Sequence, residues 1–253
     1  MSNGSALRRI STAAVAGAAA VAVLAPAASA MGPSSAAPTA GSSASAQTNK
    51  LTPHTYVAYL IKQRTPEARA TLKAFRALPK SKQVKFLGYL QSRTVYKAFG
   101  GQMRGHTGGN KTVRAVTNYN KDVKFVRATQ NSKTKQGRKT KQGRKASVRV
   151  AFTVTEKVFS IPVTSAQVWV TYESKHGKVR KVIGGGSKLT NVNAAINITG
   201  GKVEPTNLEG HSGFAATTWR ATERVDGFGS DIIKRQRVQS GWGNTFQASL
   251  TNV

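Results

Sequence analysis

The chain has 253 residues, 39% of them hydrophobic, with 39 Lys and Arg against 9 Asp and Glu and a formal net charge of +30. This length and apolar content exclude a wholly disordered chain and suit one substantial domain or two small ones. The absence of cysteine excludes disulfides, and the excess of positive charge favours polyanionic partners, which such a surface attracts and steers.

Residues 1–30 have the three parts of a secretory signal peptide. Arg8 and Arg9 come first, an uncharged Ala- and Val-rich run follows over 13–24, and Ala28-Ser29-Ala30 supplies the small residues that a signal peptidase reads. The apolar run is too short for a bilayer span, which needs about 20 residues, so we expect no transmembrane helix in the mature chain. The sequence predicts a secreted protein, extracellular or associated with the cell wall, exported by either the Sec or the twin-arginine route.

Two further segments precede the β-rich part of the chain. Residues 31–49 are uncharged and rich in Ser, Ala and Pro, which is typical of a flexible leader. Residues 50–102 predict a basic helical region of two to four short helices, in which Thr52-Pro53 and Thr65-Pro66 provide helix starts. Apolar residues recur there with helical spacing, and Lys and Arg occupy the opposite faces.

Residues 111–253 predict a β-rich domain. Val148, Val150, Phe152 and Val154 alternate with polar or small residues, which indicates a half-buried strand. Similar patterns predict strands at 112–119, 123–129, 168–172, 179–183, 191–199, 214–225, 232–238 and 246–250. The glycine run at 184–187 is interpreted as a flexible turn. The predicted fold class is α+β, with a short N-terminal helical region followed by an antiparallel β-sandwich or barrel-like domain.

The hexapeptide TKQGRK occurs twice in succession between Lys133 and Lys145. We predict an exposed basic loop over 131–146, because the segment has no apolar residue and two glycines that disfavour a helix. Its seven basic side chains are the predicted polyanion contacts: Lys133, Lys135, Arg138, Lys139, Lys141, Arg144 and Lys145. Two alternatives are a merely solvated loop and a cleavage site for a trypsin-like protease.

No catalytic residue, metal site or cofactor is assigned from the sequence. The histidines show no spacing that would put two imidazoles on one metal ion. Glu223, Asp226 and Asp231 form the closest group of carboxylates, but such residues around a turn are ordinary surface chemistry. His211, Ser212 and Asp226 supply the base, nucleophile and acid types of a hydrolase, but no nucleophile elbow occurs in the sequence.

Trp242 has glycine on both sides, which favours exposure at a loop tip. An exposed tryptophan there could contact carbohydrate or a membrane interface. The alternative is that Trp242 covers one end of the core, since tryptophan is mostly buried on average.

These patterns predict a secreted, non-enzymatic cationic protein that binds an anionic polymer through the basic loop and the basic helix faces. Teichoic acid, acidic polysaccharide and extracellular nucleic acid are the expected polymer classes. One alternative is an antibacterial effector that acts on anionic membranes through amphipathic helices within 51–99. Another is an extracellular hydrolase, which would require a role for His211 or Asp226.

Overall fold

A computed structural model describes residues 50–106, 110–136, 145–208, 212–242 and 245–253, with only the backbone described at 135, 136 and 145. The predicted signal peptide and leader lie outside these residues. The described part contains four helices: α1 Pro53–Gln63, α2 Pro66–Arg76, α3 Lys80–Gln91 and α4 Arg93–Ala98. The hydroxyls of Thr52, Thr65 and Ser92 cap α1, α2 and α4 by accepting a backbone N–H three residues on.

The remaining elements are strands in two sheets. They are β1 Gly101–His106, β2 Thr112–Asn118, β3 Val123–Gln136, β4 Lys145–Val158, β5 Ile161–Lys175, β6 Lys178–Asn191, β7 Ile196–Gly200, β8 Glu204–Leu208, β9 Ser212–Glu223, β10 Ile232–Ser240 and β11 Thr245–Asn252. The first sheet runs β1-β11-β10-β9-β7, with β8 also paired to β9, and the second is the meander β2-β3-β4-β5-β6. Every pairing in both sheets is antiparallel.

The two sheets face each other across a shared core, an arrangement compatible with a β-sandwich. The predicted alternation in β4 is confirmed, because Val148, Val150, Phe152 and Val154 are all buried. Residues of β9, β10 and β11 complete the core from the opposite sheet. The prediction of a mostly antiparallel β-protein is therefore confirmed. Within the described residues, no helix is both long and apolar enough to cross a membrane.

The helices close one end of the space between the sheets. The Tyr56 hydroxyl in α1 donates to the Val192 carbonyl at 3.1 Å, and Asn193 Nδ2 donates to the Leu90 carbonyl of α3 at 3.0 Å. Arg93 of α4 donates to the Phe228 carbonyl in the β9–β10 turn at 3.1 Å. The helical region and the sheets thus share one core rather than forming separate cores.

A buried amide joins the two sheets at the centre of the core. Gln236 of β10 is fully buried, and its Nε2 donates to the carbonyls of Phe152 at 3.0 Å and Ala166 at 3.1 Å, which belong to the other sheet. Its Oε1 accepts from Trp219 Nε1 at 2.7 Å. The side chain therefore satisfies three polar groups that the apolar core would otherwise leave without partners.

The glycine run is not a turn, so that interpretation is wrong. Gly184, Gly185 and Gly186 lie inside β6, paired with β5. A Cβ on Gly185 would lie 2.9 Å from the Trp169 carbonyl oxygen and 3.1 Å from Pro205 Cβ in β8. The missing side chain lets the two sheets approach each other closely, which is a known use of glycine within a strand.

Other boundaries also differ from the sequence prediction. The pairing of β3 with β4 continues to Gln136 and Lys145, so the segment between the paired strands is 137–144 rather than 131–146. The predicted helical region ends before 101, where β1 begins and pairs with β11. Neither β1 nor β8 was predicted.

The core of the described residues also holds a carboxyl and an amine, those of Glu156 and Lys234, each residue being 1% exposed. Burial raises the pKa of Glu156 to about 7, against smaller lowering effects of a hydrogen bond from Thr164 and the charge of Lys234. Burial lowers the pKa of Lys234 to about 8, partly opposed by Glu156. Lys234 Nζ donates to the Lys97 carbonyl at 3.2 Å and to Asn252 Oδ1 at 2.6 Å. Glu156 Oε2 makes no hydrogen bond to a described residue.

Replacing Glu156 with Gln should change how stability depends on pH. Between pH 4.5 and about 7 the unfolded state ionises at Glu156 while the folded state stays protonated, so the free energy of unfolding falls as pH rises. Glutamine does not ionise. The free energy of unfolding of Glu156→Gln, relative to that of wild type, should therefore rise by about 3 kcal/mol over this pH range. Urea unfolding at several pH values measures the difference, and a constant difference would contradict the burial argument.

Replacing Gln236 with Leu should destabilise the fold by about 2–4 kcal/mol, because three buried polar groups lose their partner. Gln239→Leu in the same strand is the matched control, since that side chain is only half-buried. It should change the free energy of unfolding by about 0.5 kcal/mol or less. Equal urea midpoints for Gln236→Leu and wild type would show that the amide does not join the sheets.

Candidate polyanion-binding surface

Three of the chain reversals at the end of the protein opposite the helices carry the residues of interest. They are the β3–β4 hairpin, the β5–β6 turn and the β10–β11 turn. The Ser240 hydroxyl of β10 contacts the Tyr172 hydroxyl of β5, which fixes the last two of these reversals side by side. The pairing of β4 with β5 brings the β3–β4 hairpin to the same end.

The β5–β6 turn presents closely spaced positive charges. His176 and Gly177 have φ values of 52° and 76°, the conformation of a two-residue turn that matches strand twist. This tight turn places Lys175 and Lys178 directly opposite each other in the ladder. Like charges in such a pair repel, and exposed Arg180 follows two residues later.

Trp242 lies beside this turn and is 64% exposed, which contradicts the alternative that it covers the core. The Lys178 ammonium lies 5.2 Å from the centroid of its ring. A cation and an exposed aromatic face are thus presented together to the solvent. We call the set Lys175, Lys178, Arg180 and Trp242 the basic tip.

A depression of about 360 Å³ adjoins the basic tip and is lined by Glu173, Ser174, Lys175 and Arg180. Glu173 is the acidic residue of this lining, and it pairs in register with Lys181 of β6, which is exposed. The basic residues therefore outnumber the acidic one at this end of the β5–β6 hairpin.

Three of the predicted contacts of the basic repeat, Lys133, Lys135 and Lys145, lie at the same end. Lys133 lies on β3 with an exposed side chain, and its backbone N–H donates to Asn110 Oδ1 at 2.6 Å. Lys135 and Lys145 lie on the paired arms of the hairpin. The other predicted contacts, Arg138, Lys139, Lys141 and Arg144, lie outside the described residues. The sequence singled out Trp242 but not Lys175, Lys178 and Arg180, which the tight turn at 176–177 brings together.

The basic helix faces do not join the basic tip in one surface. Asp122, which pairs with Lys85 of α3, lies just before β3, whereas Lys133 lies near the far end of that strand. Eleven residues of extended chain separate them by roughly 35 Å. The apolar helix residues Tyr56, Phe75 and Phe86 form an aromatic cluster inside the core. The main apolar faces of the helices therefore pack against the protein core.

The carboxylates considered for hydrolysis have structural partners. Glu223 Oε1 accepts from the Phe228 backbone N–H at 2.8 Å, and Asp231 forms an ion pair with Arg220 at 2.5 Å. His211 lies outside the described residues. Across the described ranges, no group of three or more His, Cys, Asp or Glu could hold a metal ion.

A larger cavity of about 810 Å³ lies between α2 and the adjoining ends of β4, β5 and β6. It is lined by Glu67, Ala70, Thr71, Ala74, Thr155, Lys157, Phe159, Ser160, Ile161, Pro162, Val163, Thr164, Ser165, Thr190 and Val192. Most of these side chains are apolar or carry hydroxyl groups, with one acid and one base among them. Such a lining suits a neutral ligand better than a polyanion.

No protein-family model matches this chain, and neither a curated protein nor a solved structure matches it.

Proposed function

We propose that this chain is a secreted, non-enzymatic protein that binds anionic polymers of the cell envelope or extracellular milieu through its basic tip. The observation that carries the proposal is the opposed pair Lys175 and Lys178 beside exposed Trp242. Secretion is supported by the signal-peptide pattern of residues 1–30. Teichoic acid, acidic polysaccharide and extracellular nucleic acid are the polymer classes that fit this charge.

Binding at the basic tip would be driven mainly by release of counterions from the polymer. Each neutralised phosphate of a nucleic acid contributes about 0.7 to 0.9 to the slope of log K against log salt. Trp242 adds a flat apolar surface on which a sugar ring or a base can stack. The basic repeat, whose arms begin at this end, would extend the contact along the polymer.

Action on anionic membranes has less support from the fold. An interfacial helix needs a free apolar face to enter the lipid. The apolar residues of α1, α2 and α3 that include Tyr56, Leu60, Phe75, Phe86 and Leu90 are instead buried in the core. Leakage from anionic vesicles remains a direct test of that alternative.

Replacing Lys175, Lys178 and Arg180 together with Gln should weaken binding to poly(glycerol phosphate) and reduce the salt slope by roughly 2 to 3. The measurement is fluorescence anisotropy of a labelled polymer at roughly 50 to 500 mM salt. The matched control replaces Lys62, Lys73 and Arg76, which are exposed on α1 and α2 and carry the same charge. Loss of affinity in the control, with the tip variant unchanged, would contradict the proposal.

The basic repeat is tested by a separate variant in which its seven Lys and Arg become Gln. We expect a further reduction of the salt slope if the repeat joins the contact.

Trp242→Ala should weaken binding at high salt as well, because salt screens charge but not stacking. Equal unfolding midpoints for all variants confirm that the fold is retained.

A further inference from the structure

A tryptophan lies flat on the outer face of the second sheet, away from the basic tip. Trp169 of β5 pairs in register with Gly186 of β6, and a Cβ on that glycine would lie only 2.2 Å from Trp169 Cζ2. The ring therefore occupies the space that any side chain at 186 would fill. Glycine at this position lets the indole lie against the sheet instead of standing away from it.

An arginine on the neighbouring strand lies against this ring. The guanidinium carbon of Arg149, on β4, lies 4.2 Å from the centroid of the Trp169 ring. Arg149 is exposed, and its guanidinium makes no hydrogen bond or ion pair with any described residue. Stacking uses only the face of the guanidinium, so the donors along its edge stay available to a ligand.

The stacked Arg149 borders a depression of about 200 Å³, lined by Gln130, Ser132, Arg149, Ala151 and Gln167. Ala151, in the middle of β4, is the small side chain of this lining. Gln130 and Ser132 are exposed and make no side-chain hydrogen bond to the described part of the chain. Gln167 Nε2 donates to Thr153 at 2.8 Å, which leaves its amide oxygen as an acceptor.

The charges on this face complement an anion. Lys181 and Lys188 of β6 lie before and after the position paired with Trp169. Their own register partners on β5 are Glu173 and Gln167. Of the charged residues named on this face, Glu173 is acidic, whereas Lys181, Lys188 and Arg149 are basic. The two lysines are seven positions apart, roughly 20 Å along the strand. That length suits several units of a polymer better than a single small ion.

We propose that this outer face binds an acidic saccharide, with the oxyanion on the edge of the Arg149 guanidinium and the ring hydroxyls on Gln130, Ser132 and Gln167. The inference rests on the proposed binding of anionic polymers and names the unit that is recognised. A guanidinium binds a carboxylate or phosphate through two parallel hydrogen bonds. Because Trp169 already restricts Arg149, less side-chain entropy is lost on binding than for a free arginine.

Arg149→Lys separates this geometry from simple charge. The variant keeps the charge but loses the planar fork, and we expect its affinity for tetragalacturonate to fall about tenfold. The measurement is isothermal titration calorimetry on the mature chain. Arg235→Lys, at an exposed position on β10 of the other sheet, is the matched control and should keep wild-type affinity. Equal losses in both variants, or none in Arg149→Lys, would overturn the assignment.

Two further ligands identify the source of the oxyanion. Glucose 6-phosphate carries a phosphate on a sugar ring, and Arg149-dependent binding of either this ligand or tetragalacturonate supports the site. The fully methyl-esterified tetragalacturonate has no charge, and its binding with wild-type affinity would overturn the role of the anion. Gly186→Ala should also weaken binding of the acidic ligand by displacing Trp169, with circular dichroism as the check on folding.

Failure of this inference can be distinguished from failure of the proposed function. Poly(glycerol phosphate) has phosphates but no sugar rings, so it reports on the basic tip. If it binds in a tip-dependent manner while neither acidic saccharide binds, the outer-face site is overturned and the tip proposal stands. If an acidic saccharide binds through Arg149 while the tip variant keeps full polymer affinity, the outer-face site is supported and the tip proposal fails.

Discussion

The fold depends on the mutual burial of the inner faces of its two sheets. With no cysteine in the chain, no disulfide supports that packing. The core is instead held by apolar contact, by the Gln236 amide that joins the sheets, and by the close approach at Gly185. The helices close one end of this core through Tyr56, Leu90 and Arg93. The opposite end and the outer sheet faces are then available for recognition.

This arrangement separates the positive charge into distinct surfaces. The helices carry their Lys and Arg at the end of the core that they close. The β5–β6 turn and the paired arms of the basic repeat carry theirs at the end opposite the helices. Net charge alone makes the whole surface attractive to polyanions. The end opposite the helices differs in its local geometry. A tight turn holds two lysines opposite each other there, and an exposed tryptophan lies beside them. If a polyanion binds as we propose, these features would favour one position on the surface, which net charge alone would not.

Sequence patterns predicted the antiparallel strands well where burial alternates, as at Val148 to Val154 in β4. They failed where tertiary packing overrides local preference. The glycines of β6 resemble a turn, yet they are required by the neighbouring Trp169 and by the facing sheet. The short strand β1 was missed because its ordering depends on distant β11. Composition identified the basic repeat, and the flanking glycines identified Trp242. The lysines beside Trp242 and the contact of Arg149 with Trp169 were missed, because strand register and turn geometry bring these residues together.

We propose that a polyanion binds at the end of the sheets opposite the helices and not on the basic helices. Amide NMR of the isotope-labelled mature chain during titration with poly(glycerol phosphate) is the most direct test. Shift changes should be concentrated at 172–181 and around Trp242, with little change over α1 to α3. Changes concentrated on the helices, with the β5–β6 turn unaffected, would contradict it.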